Sequence, residues 1–511
     1  MTALRTSPSA ASAWPAWASS APRVLGLLAL WLLATAWLRP LLLPDEGRYA
    51  EVARQMLLGD GLVPLLNGLP FFHKPPLNYW VNMLGMKVFG VTPFAVRLAP
   101  ALGAWMMGAA LWLSLRRHQG PRAAGITLVV LATSSFYFIG GQYANHDMMV
   151  AGTVTVAVLC FARALEGGAP EFRWLLAAWV ACGLAVLSKG LIGVVLPALV
   201  IGPWLLAQGR WRDMLRLLNP LGLLVFAAVA LPWHLLMQQR YPDFFDYFIV
   251  EQHFRRYATT GFNNAQPWWF MWGVLPLLTL PWSAGLPALL RQLWLERGAA
   301  PGTTSDPRWT GLMVWWAFVV LLFFSLPASK LVGYIMPAVA PFCALLAMPF
   351  LRSRWWRPVA VLAAVFCMGV IITLAVKAPN SSRDIGLALR RQVTPTDLVV
   401  LIDNGFNDVV FYAQLAQPPL VASHWDDPDL RKRDNWRKEL ADTDRFDAPR
   451  AAALLYPIQA LPALVCRGQR VWFVAHDGNE TRLGAVPGAV KQMQGRHAQL
   501  WRAEPLPCPA R

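Results

Sequence analysis

The sequence predicts an α-helical polytopic membrane protein with a soluble α/β domain at its C-terminal end. Of the 511 residues, 56% are hydrophobic and only 14% are charged, whereas a soluble domain usually carries about 25% charged residues. Apolar segments recur along residues 24–377, most of them near the ~20 residues that cross a bilayer as a helix. Residues 378–511 are more polar and contain separate helix and strand patterns, which indicates a domain outside the membrane.

The apolar segments alternate with loops and define about 11–13 transmembrane helices. The upper number allows for re-entrant or interfacial helices within residues 60–95. The 26 tryptophans fit this class because tryptophan favours the membrane interface. We place the predicted spans at residues 24–43, 95–115, 122–140, 147–165, 172–188, 190–207, 217–236, 267–290, 311–326, 331–350 and 358–377.

Arginines are distributed unequally between the two sets of loops, which predicts the orientation of the chain. Loops rich in positive charge stay in the cytoplasm, so the arginine-rich loops and the N-terminus are predicted to be cytoplasmic. The predicted domains are a membrane domain, residues 1–377, with surface loops 44–94 and 237–266 on the opposite side, and a soluble domain on that same side, residues 378–511. The arginines of the cytoplasmic set are Arg116, Arg117, Arg122, Arg163, Arg173, Arg210, Arg212, Arg216, Arg291, Arg297, Arg308, Arg352, Arg354 and Arg357.

The soluble domain carries its own secondary-structure signals. A helix is predicted over residues 382–392, and strands are predicted over residues 398–402 and 471–475. Cys466 and Cys508 would be able to form a disulfide if this domain lies outside the cytoplasm. Spacing in the sequence does not establish that pair.

Two acids begin a predicted helix on the membrane surface, over residues 44–59. Asp45 or Glu46 suits the positive N-terminus of that helix, and Arg48 and Glu51 follow. Charges set beside bilayer-spanning helices are costly to hold there and are functional candidates by default. The alternative is that the first acid caps the helix and that its neighbours are solvated charges.

A lysine at a rigid position follows in the same loop, in the run His73-Lys74-Pro75-Pro76. The two prolines restrict the backbone to an extended shape. They thereby hold Lys74 at a defined position, where it suits a phosphate at the depth of the lipid headgroups. The alternative is an interfacial lysine that reaches toward water. His73 is a weaker candidate, for which the alternative is a polar surface residue.

Two further polar motifs fall on the same predicted side of the membrane. His146-Asp147 begins the fourth span, where Asp147 lies level with the first-loop acids or simply caps its helix. Residues 251–257 combine His253 and Arg256 with aromatic side chains. This combination suits a lipid headgroup or a sugar, and it equally suits a solvated surface.

Two lysines occur in short turns between spans on that side. Lys189 lies in a Ser-Lys-Gly turn, and Lys330 lies in the run Ser329-Lys330-Leu331. Lys330 and Tyr334 are one helical turn apart, so we expect them to face the same cavity. The alternative for both lysines is that they reach from the interface toward water.

The placement of these motifs limits the chemistry. Outside the cytoplasm no nucleotide sugars are available, so a transferase there needs a sugar donor delivered by a lipid, such as a polyprenyl-phosphate sugar. Such an enzyme must bind the phosphate with Lys or Arg and needs a carboxylate, with or without a metal, for the acceptor. The net charge of +17 does not favour a nucleic-acid partner, because no basic stripe occurs on a polar domain.

These residues resemble a known family in long runs. Pro44-Asp45-Glu46-x-Arg48-Tyr49-Ala50-Glu51, followed by Lys74-Pro75-Pro76-Leu77-x-Tyr79-Trp80, looks like the aminoarabinose lipid A transferase branch of the dolichyl-phosphate-mannose protein mannosyltransferase superfamily. These are GT-C membrane glycosyltransferases. The Ser188-Lys189-Gly190, His253-x-x-Arg256-Tyr257 and Ser329-Lys330…Tyr334…Pro337 runs match in the same order, and the resemblance covers roughly residues 24–350.

The resemblance implies an inverting transfer of a sugar from undecaprenyl phosphate to lipid A or a related envelope acceptor. It places the reaction at the periplasmic face of the bacterial inner membrane. Asp45 and Asp147 match the two essential acids of that branch, and Lys74 matches a group that holds phosphate. The other substrate-binding residues implied are Arg48, Tyr79, Lys189, His253, Arg256, Lys330 and Tyr334.

The resemblance also raises a divalent metal ion as a candidate cofactor. Glu46, His73 and His146 are the residues that would hold it. The sequence departs from the family pattern at His73, because aminoarabinose transferases typically have a glutamate before Lys-Pro-Pro. In the family, that glutamate is a candidate contact for a cationic amino sugar or for a metal. Its replacement by His73 therefore weakens the expectation of an amino-sugar donor and of a metal site.

Other functional classes are compatible with the composition. A lipid or sugar transporter would carry charges at mid-membrane in discontinuous helices, whereas the acids here fall at the ends of spans. An enzyme of the same fold that modifies protein or another glycan is the second alternative, and a membrane scaffold is the third.

Overall fold

The computed structural model describes residues 15–167, 170–255, 264–296, 307–432 and 434–507. The chain is mostly helical up to Lys377, and it ends in a six-stranded sheet with flanking helices. The predicted class is therefore confirmed: an α-helical multi-pass membrane protein that carries a C-terminal α/β unit.

The described chain before residue 378 contains sixteen α-helices, numbered α1–α16. They are α1 (Ala21–Leu33), α2 (Asp45–Leu58), α3 (Leu77–Phe89), α4 (Pro93–Val96), α5 (Leu98–Ala132), α6 (Ser135–Gly140), α7 (Asp147–Ala164), α8 (Phe172–Lys189), α9 (Ile192–Ala207), α10 (Trp211–Leu217), α11 (Pro220–Arg240), α12 (Phe270–Leu278), α13 (Leu286–Glu296), α14 (Pro307–Ser325), α15 (Val339–Ala347) and α16 (Trp356–Lys377). A π-helix covers Asp246–Arg255, 3₁₀-helices cover Ala16–Ser19, Trp282–Gly285, Val332–Ala338 and Met348–Phe350, and strands β1 (Leu65–Leu66) and β2 (Leu69–Pro70) form a small hairpin.

Seven helices among the described residues are long and apolar enough to cross a membrane, and a bent pair supplies an eighth span if it counts as one. Each of the eleven predicted segments overlaps a helix. The lower number reflects breaks in those helices. The predicted spans 95–115 and 122–140 share α5, which kinks at Gly120, where φ is 83°, a conformation that favours glycine. Helix α1 ends at Leu33, and the predicted span 267–290 bends by 106° between α12 and the helix that follows.

The sheet of the C-terminal part has the strand order β5-β4-β3-β6-β8-β7. Its first four members in that order run parallel, and β8 and β7 are antiparallel additions at one edge. The strands predicted over 398–402 and 471–475 are confirmed as β3 and β6. The strands are β3 (Leu398–Ile402), β4 (Leu420–Ser423), β5 (Leu455–Pro457), β6 (Val471–Ala475), β7 (Ala489–Gln494) and β8 (Gln499–Ala503).

The helices of this part are short, and the predicted helix 382–392 is the first of them. They are α17 (Arg383–Gln392), α18 (Asn407–Ala413), α19 (Trp436–Ala441), α20 (Ala448–Leu454) and α21 (Glu480–Gly484), with 3₁₀-helices over Asp442–Arg445 and Ile458–Arg467. Cys466 is disulfide-bonded. Cys508 and Arg256 lie outside the described residues.

Helix α2 lies between the membrane helices and the helices that flank the sheet. Nine of its residues are buried, so protein covers most of this predicted surface helix. Helix α18 covers it so closely that a Cβ at Gly47 would lie 2.8 Å from the backbone nitrogen of Asp408. Val52 of α2 and Val409 of α18 belong to the same hydrophobic cluster. The first loop and the C-terminal α/β part therefore stabilise each other through one core.

Glu46 links the start of α2 to neighbouring segments of the membrane domain from a fully buried position. We call this link the Glu46 junction. The Glu46 carboxylate pairs with the guanidinium groups of Arg39 and Arg97, with Arg97 Nε donating to Oε1 at 3.0 Å. The backbone N–H groups of Leu42 and Ala144 also donate to it, each at 3.0 Å. Burial by itself would raise the pKa of Glu46, but the two arginines outweigh that effect and lower it to about 2. Glu46 is thus an anion that joins α2 to the polar segments before α5 and α7.

Glu46→Ala is expected to destabilise the protein by about 3–5 kcal/mol, because it leaves two buried guanidinium groups without their anion. The contribution is present above pH 4.5 and decreases as the pH falls toward about 2, since the folded-state pKa is lowered from 4.5 to about 2. Thermal unfolding of purified protein in detergent measures the loss. The matched control is Glu166→Ala, because Glu166 also contacts several cations but is partly exposed; its expected effect is within about 1 kcal/mol. Equal effects of the two substitutions would contradict this account of Glu46.

Candidate active site

An ion pair between Asp147 and Lys189 lies at the centre of the polar residues. Asp147 is the first residue of α7 and Lys189 is the last residue of α8, so two neighbouring helix ends bring the charges together. The Lys189 ammonium bonds Asp147 Oδ1, and it lies 4.5 Å from the centre of the Tyr334 ring. Asn145 donates from Nδ2 to the other carboxylate oxygen at 2.9 Å. Asp147 is therefore oriented on both oxygens. The alternative that it caps α7 is wrong, because His146 occupies the cap position and the Asp147 side chain makes no cap hydrogen bond at that helix end.

A second charged group forms around Arg48 of α2. Arg48 Nη2 pairs with Asp45 Oδ1 at 2.7 Å, and Arg48 Nη1 pairs with Glu439 Oε2 at 2.6 Å. Glu439 belongs to α19 of the C-terminal part, and its second oxygen lies 3.9 Å from His73 Nδ1. The sheet domain thus supplies an acid to the first-loop motif. Asp45 keeps a third of its side chain exposed, which leaves its carboxylate accessible.

Two cavities meet at the Asp147–Lys189 pair. One has a volume of about 470 Å³ and is walled mainly by apolar side chains, among them Ile192 and Phe323. Lys74 and Lys189 are the two lysines that line it, together with His73 and His253. The other has a volume of about 420 Å³, and Asp45 and Asp147 are its two acids. We call them the lysine cavity and the aspartate cavity. Residues 331–334 contribute to the walls of both.

The histidine and lysine of the first-loop motif both line the lysine cavity but make different contacts. The Lys74 ammonium donates to the His73 carbonyl at 3.0 Å and lines the lysine cavity. The His73 ring is stacked on Phe71 with centroids 4.5 Å apart, and its Nε2 is hydrogen-bonded to the hydroxyl of Tyr247. His73 is therefore a buried link between the first loop and the π-helix. The alternative that it is only a polar surface residue is wrong, because its side chain is buried.

His146 and Tyr79 form an aromatic group behind the charged residues. His146 lies edge-on to Tyr49 and Tyr79, with centroid separations of 4.6 and 5.0 Å. Within the described chain, neither ring nitrogen of His146 nor the Tyr79 hydroxyl has a hydrogen-bond partner. Burial, and then the positive charges of Lys74, Lys189 and Arg48, hold the pKa of His146 well below its usual range. His146 is consequently neutral.

The donor set does not fit a divalent metal. The described residues contain no group of three or more His, Cys, Asp or Glu side chains arranged to hold one. Glu46 is occupied by two arginines, His73 by Tyr247, and His146 faces three cations that would repel a metal ion. The three residues proposed from the sequence therefore do not form a joint site, and no step through a metal is derived.

His253 positions the turn that carries Lys189. Its Nδ1 is hydrogen-bonded to the Phe248 carbonyl at 2.6 Å, and its Nε2 accepts from the Leu191 N–H at 3.3 Å. Burial lowers the pKa of His253 to about 4, so the ring is neutral and can accept at Nε2. The π-helix and the start of α9 are thus joined at the wall of the lysine cavity.

Lys330 lies apart from the other cations. Its ammonium donates to the backbone carbonyls of Gln266, at 2.9 Å, and of Pro327. The 3₁₀-helix begins only at Val332, so Lys330 and Tyr334 do not share a helical face as the spacing suggested. Tyr334 instead contacts Lys189. The local break before Val332 is the physical reason for the difference.

Several residues that shape the site had no sequence motif of their own. Ser188 donates to Asn78 Oδ1 at 3.0 Å, and Asn78 Nδ2 donates to the Asn145 carbonyl at 2.9 Å. This chain of hydrogen bonds fixes the ends of α3 and α8 beside the loop that holds Asp147. Asn78 lies within the Lys-Pro-Pro run, and its polar side chain beside a predicted span was an available signal. Glu439 offered none, because it is 391 residues from Arg48.

Gly333→Ala is expected to lower turnover about tenfold or more, because an added methyl group would overlap the carboxylate of Asp147 and shift it away from Lys189. Initial rates of the catalysed reaction measure the effect. Gly311→Ala is the matched control, since a methyl group there meets nothing within 4 Å. Full activity of the Gly333→Ala protein would contradict the assigned position of Asp147.

The chain is similar to a family of membrane transferases. The family model for dolichyl-phosphate-mannose-protein mannosyltransferase matches residues 34–248. The undecaprenyl phosphate-alpha-4-amino-4-deoxy-L-arabinose arabinosyl transferase 2 of Sodalis glossinidius is 35% identical over 383 residues, which are 73% of this chain and 68% of that protein. The corresponding transferase of Erwinia tasmaniensis is 34% identical over 68% of this chain and 63% of its own length. That of Pseudomonas aeruginosa is 37% identical over 60% of this chain and 54% of its own length. The chain thus matches less than two thirds of the length of the latter two.

The fold is similar to that of a solved structure over nearly the whole chain. The ArnT protein from Cupriavidus metallidurans, in a crystal with undecaprenyl phosphate, superposes with a TM-score of 0.79 at 22% identity. The superposition covers 94% of this chain and 97% of that one. Its apo state gives a TM-score of 0.77 over the same shares of the two chains. These likenesses establish the fold, including the C-terminal sheet domain.

Proposed function

The chain belongs to the family of undecaprenyl phosphate-α-4-amino-4-deoxy-L-arabinose arabinosyl transferases, and from that premise we propose that it transfers a sugar from a polyprenyl phosphate to lipid A. The donor of its relatives, named in their descriptions, is a sugar on undecaprenyl phosphate. The observation that carries the proposal is the lysine cavity, whose apolar walls and basic residues suit a prenyl chain and its phosphate. A divalent metal is not required for this assignment.

Lys74 and Lys189 are the groups we assign to the donor phosphate. Both line the lysine cavity, and Lys189 is also bound to Asp147 in the direction of the aspartate cavity. A phosphate on these lysines would set the sugar beside the carboxylates. Ammonium groups at this position stabilise the phosphate as a leaving group, because negative charge accumulates on it while the bond to the sugar breaks.

The transfer we propose inverts the anomeric carbon. The acceptor oxygen forms a bond to that carbon from the face opposite the phosphate, and the carbon–oxygen bond to the polyprenyl phosphate breaks. The electron pair of that bond leaves with the phosphate. Asp45 and Asp147 stabilise the positive charge that develops on the sugar ring. If the acceptor atom is a hydroxyl oxygen, Asp45 also takes its proton; a phosphate acceptor is already ionised and needs no base.

The remaining site residues are assigned to shape and orientation. Arg48 holds Asp45 and binds anionic groups of donor or acceptor. Tyr334 forms an aromatic wall of the lysine cavity, and Tyr79 supports the site from behind through its contacts with Tyr49 and His146. His253 orients the turn that carries Lys189. Arg256 keeps the substrate-binding role that the sequence motif suggests, and Lys330 is reassigned to holding the segment before Tyr334 through backbone carbonyls.

The polar site and the C-terminal α/β domain, residues 378–511, are assigned to the periplasmic side of the bacterial inner membrane, and the N-terminus to the cytoplasm. The arginine-rich loops support this orientation. Residues 1–377 form the transferase domain in this assignment. The acids are at the ends of α2 and α7, which favours interfacial chemistry over a transporter with charges at mid-membrane.

Mass spectrometry of lipid A and of the other envelope glycans, in a host with and without this chain, tests the proposal. We expect a sugar-sized mass on lipid A that depends on the wild-type chain and is absent with Asp45→Asn. Asp60→Asn is the matched control, because Asp60 is an acid of the same loop that pairs with Arg240 outside both cavities. Unchanged lipid A with a changed protein or polysaccharide glycan would contradict the acceptor, and no change in any glycan would contradict the enzyme class.

A further inference from the structure

A third cavity, of about 510 Å³, lies at the end of the membrane helices opposite the site. Helix α5 starts at Leu98 beside the Glu46 junction, and its kink at Gly120 is about 33 Å farther along the helix. Arg122, just after that kink, lines the cavity, as does Arg357 at the start of α16. The other end of α16 leads into the C-terminal part. Both arginines are thus about one bilayer thickness away from the level of the site.

The walls of this cavity are apolar, and its inner end is closed. Leu28 of α1 and Leu128 of α5 face it from two sides. At the inner end, Trp31 Nε1 donates to the Ala132 carbonyl at 2.8 Å, which joins the two helices. From Arg122 to Ala132 the helix rises about 15 Å, which is half the hydrocarbon thickness of a bilayer. The cavity therefore has the depth of one membrane leaflet.

The two arginines carry charge that the described protein does not neutralise. Within the described residues, neither Arg122 nor Arg357 forms an ion pair. The Arg357 guanidinium lies 5.5 Å from the centre of the Trp356 ring. Both side chains are exposed at the outer end of the cavity. Other arginines of the same predicted face, such as Arg163 and Arg210, do have acidic partners.

We propose that this cavity binds an anionic glycerophospholipid of the leaflet opposite the active site. An acyl chain fills the apolar groove down to Trp31, and the headgroup phosphate binds Arg122 and Arg357. Basic pockets between membrane helices bind anionic headgroups in this manner. An acyl chain matches the depth of one leaflet, whereas an undecaprenyl chain is far longer than the closed groove.

Native mass spectrometry of the full-length protein in detergent, titrated with cardiolipin, phosphatidylglycerol or phosphatidylethanolamine, tests the proposal. The wild type is expected to retain the anionic lipids about tenfold more tightly than phosphatidylethanolamine. Arg122→Gln/Arg357→Gln is expected to lose that preference. Arg352→Gln/Arg354→Gln is the matched control, because it removes two exposed arginines a few residues before Arg357 but leaves the cavity lining intact.

Three results would overturn the proposal. The first is equal retention of cardiolipin by the two double variants. The second is a wild type without preference for anionic lipid. The third is displacement of the bound phospholipid by undecaprenyl phosphate, which would identify the cavity as a second polyprenyl site. Transfer activity of the cavity variant in phosphatidylethanolamine vesicles is expected to equal that of the wild type, which separates this test from that of the catalytic assignment and reports that the variant is folded.

Discussion

Asp45→Asn is expected to reduce turnover by about a hundredfold or more while leaving donor binding nearly unchanged. Asp45 lines the aspartate cavity and does not line the lysine cavity. A preorganised carboxylate that faces developing positive charge, or that takes a proton from a hydroxyl, contributes on the order of 10²–10³-fold to the rate. Asparagine keeps the shape of the side chain and removes the charge. The rate constant for transfer, measured with purified protein at saturating donor, is the relevant quantity.

Asp60→Asn is the control for this experiment as well. It removes a carboxylate from the same loop, but that carboxylate pairs with Arg240 and lines neither cavity. Its turnover is expected to match the wild type. If Asp45→Asn protein is made at normal levels and keeps full turnover, Asp45 is not part of the chemistry. A loss of donor binding equal to the loss of turnover would instead assign Asp45 to the donor.

Lys189→Met is expected to weaken donor binding at least tenfold and to reduce turnover by about a hundredfold or more. The ammonium of Lys189 touches both Asp147 and the ring of Tyr334, and it lines the lysine cavity. Methionine keeps much of the aliphatic stem, so the loss measures the charge. A charged hydrogen bond to phosphate contributes about 1.5–3 kcal/mol, and each 1.4 kcal/mol is tenfold in affinity. Equilibrium binding of undecaprenyl phosphate and transfer rates report the two effects separately.

Lys87→Met serves as the control because Lys87 is an exposed lysine of α3 that lines neither cavity. The double variant Lys189→Met/Asp147→Asn adds a sharper test. If the pair acts as a unit, the double variant loses little more than either single one. Strictly additive losses would mean that Asp147 and Lys189 act independently.

The strands of the C-terminal domain and the apolar helices were predictable because their sequence signals are local. Residues 398–402 and 471–475 are short apolar runs bounded by turn residues, and they form β3 and β6 over the predicted bounds. Breaks in helices were less predictable. Helix α1 ends at Leu33 although apolar residues continue, and the chain bends by 106° after α12. Hydropathy does not distinguish a straight span from a bent one.

Four charged residues were predictable as candidates because charges beside apolar spans are rare. They are the acids Asp45 and Asp147 and the lysines Lys74 and Lys189. Their partners were not. The pairing of Arg48 with Glu439 spans 391 residues, and no spacing rule operates at that distance. Lys330 met the same criterion as Lys189 yet turns toward backbone carbonyls, since a charge at the end of a span can be satisfied by the backbone as well as by a ligand.

Glu46 and Asp45 separate two roles that adjacent acids could share. Glu46 points into a buried pair of arginines, and Asp45 points toward a cavity with a third of its side chain exposed. Consecutive residues of a helix face different directions, so one acid stabilises the junction while its neighbour remains available. The sequence shows only that two acids begin the helix.

The most direct test of the two-cavity assignment is to measure undecaprenyl phosphate binding and sugar transfer to lipid A on the same purified proteins in vesicles. We predict that the wild type binds and transfers, that Asp45→Asn binds but does not transfer, and that Lys74→Met/Lys189→Met does neither. Normal binding of undecaprenyl phosphate by Lys74→Met/Lys189→Met would contradict the assignment of the donor phosphate to the lysine cavity.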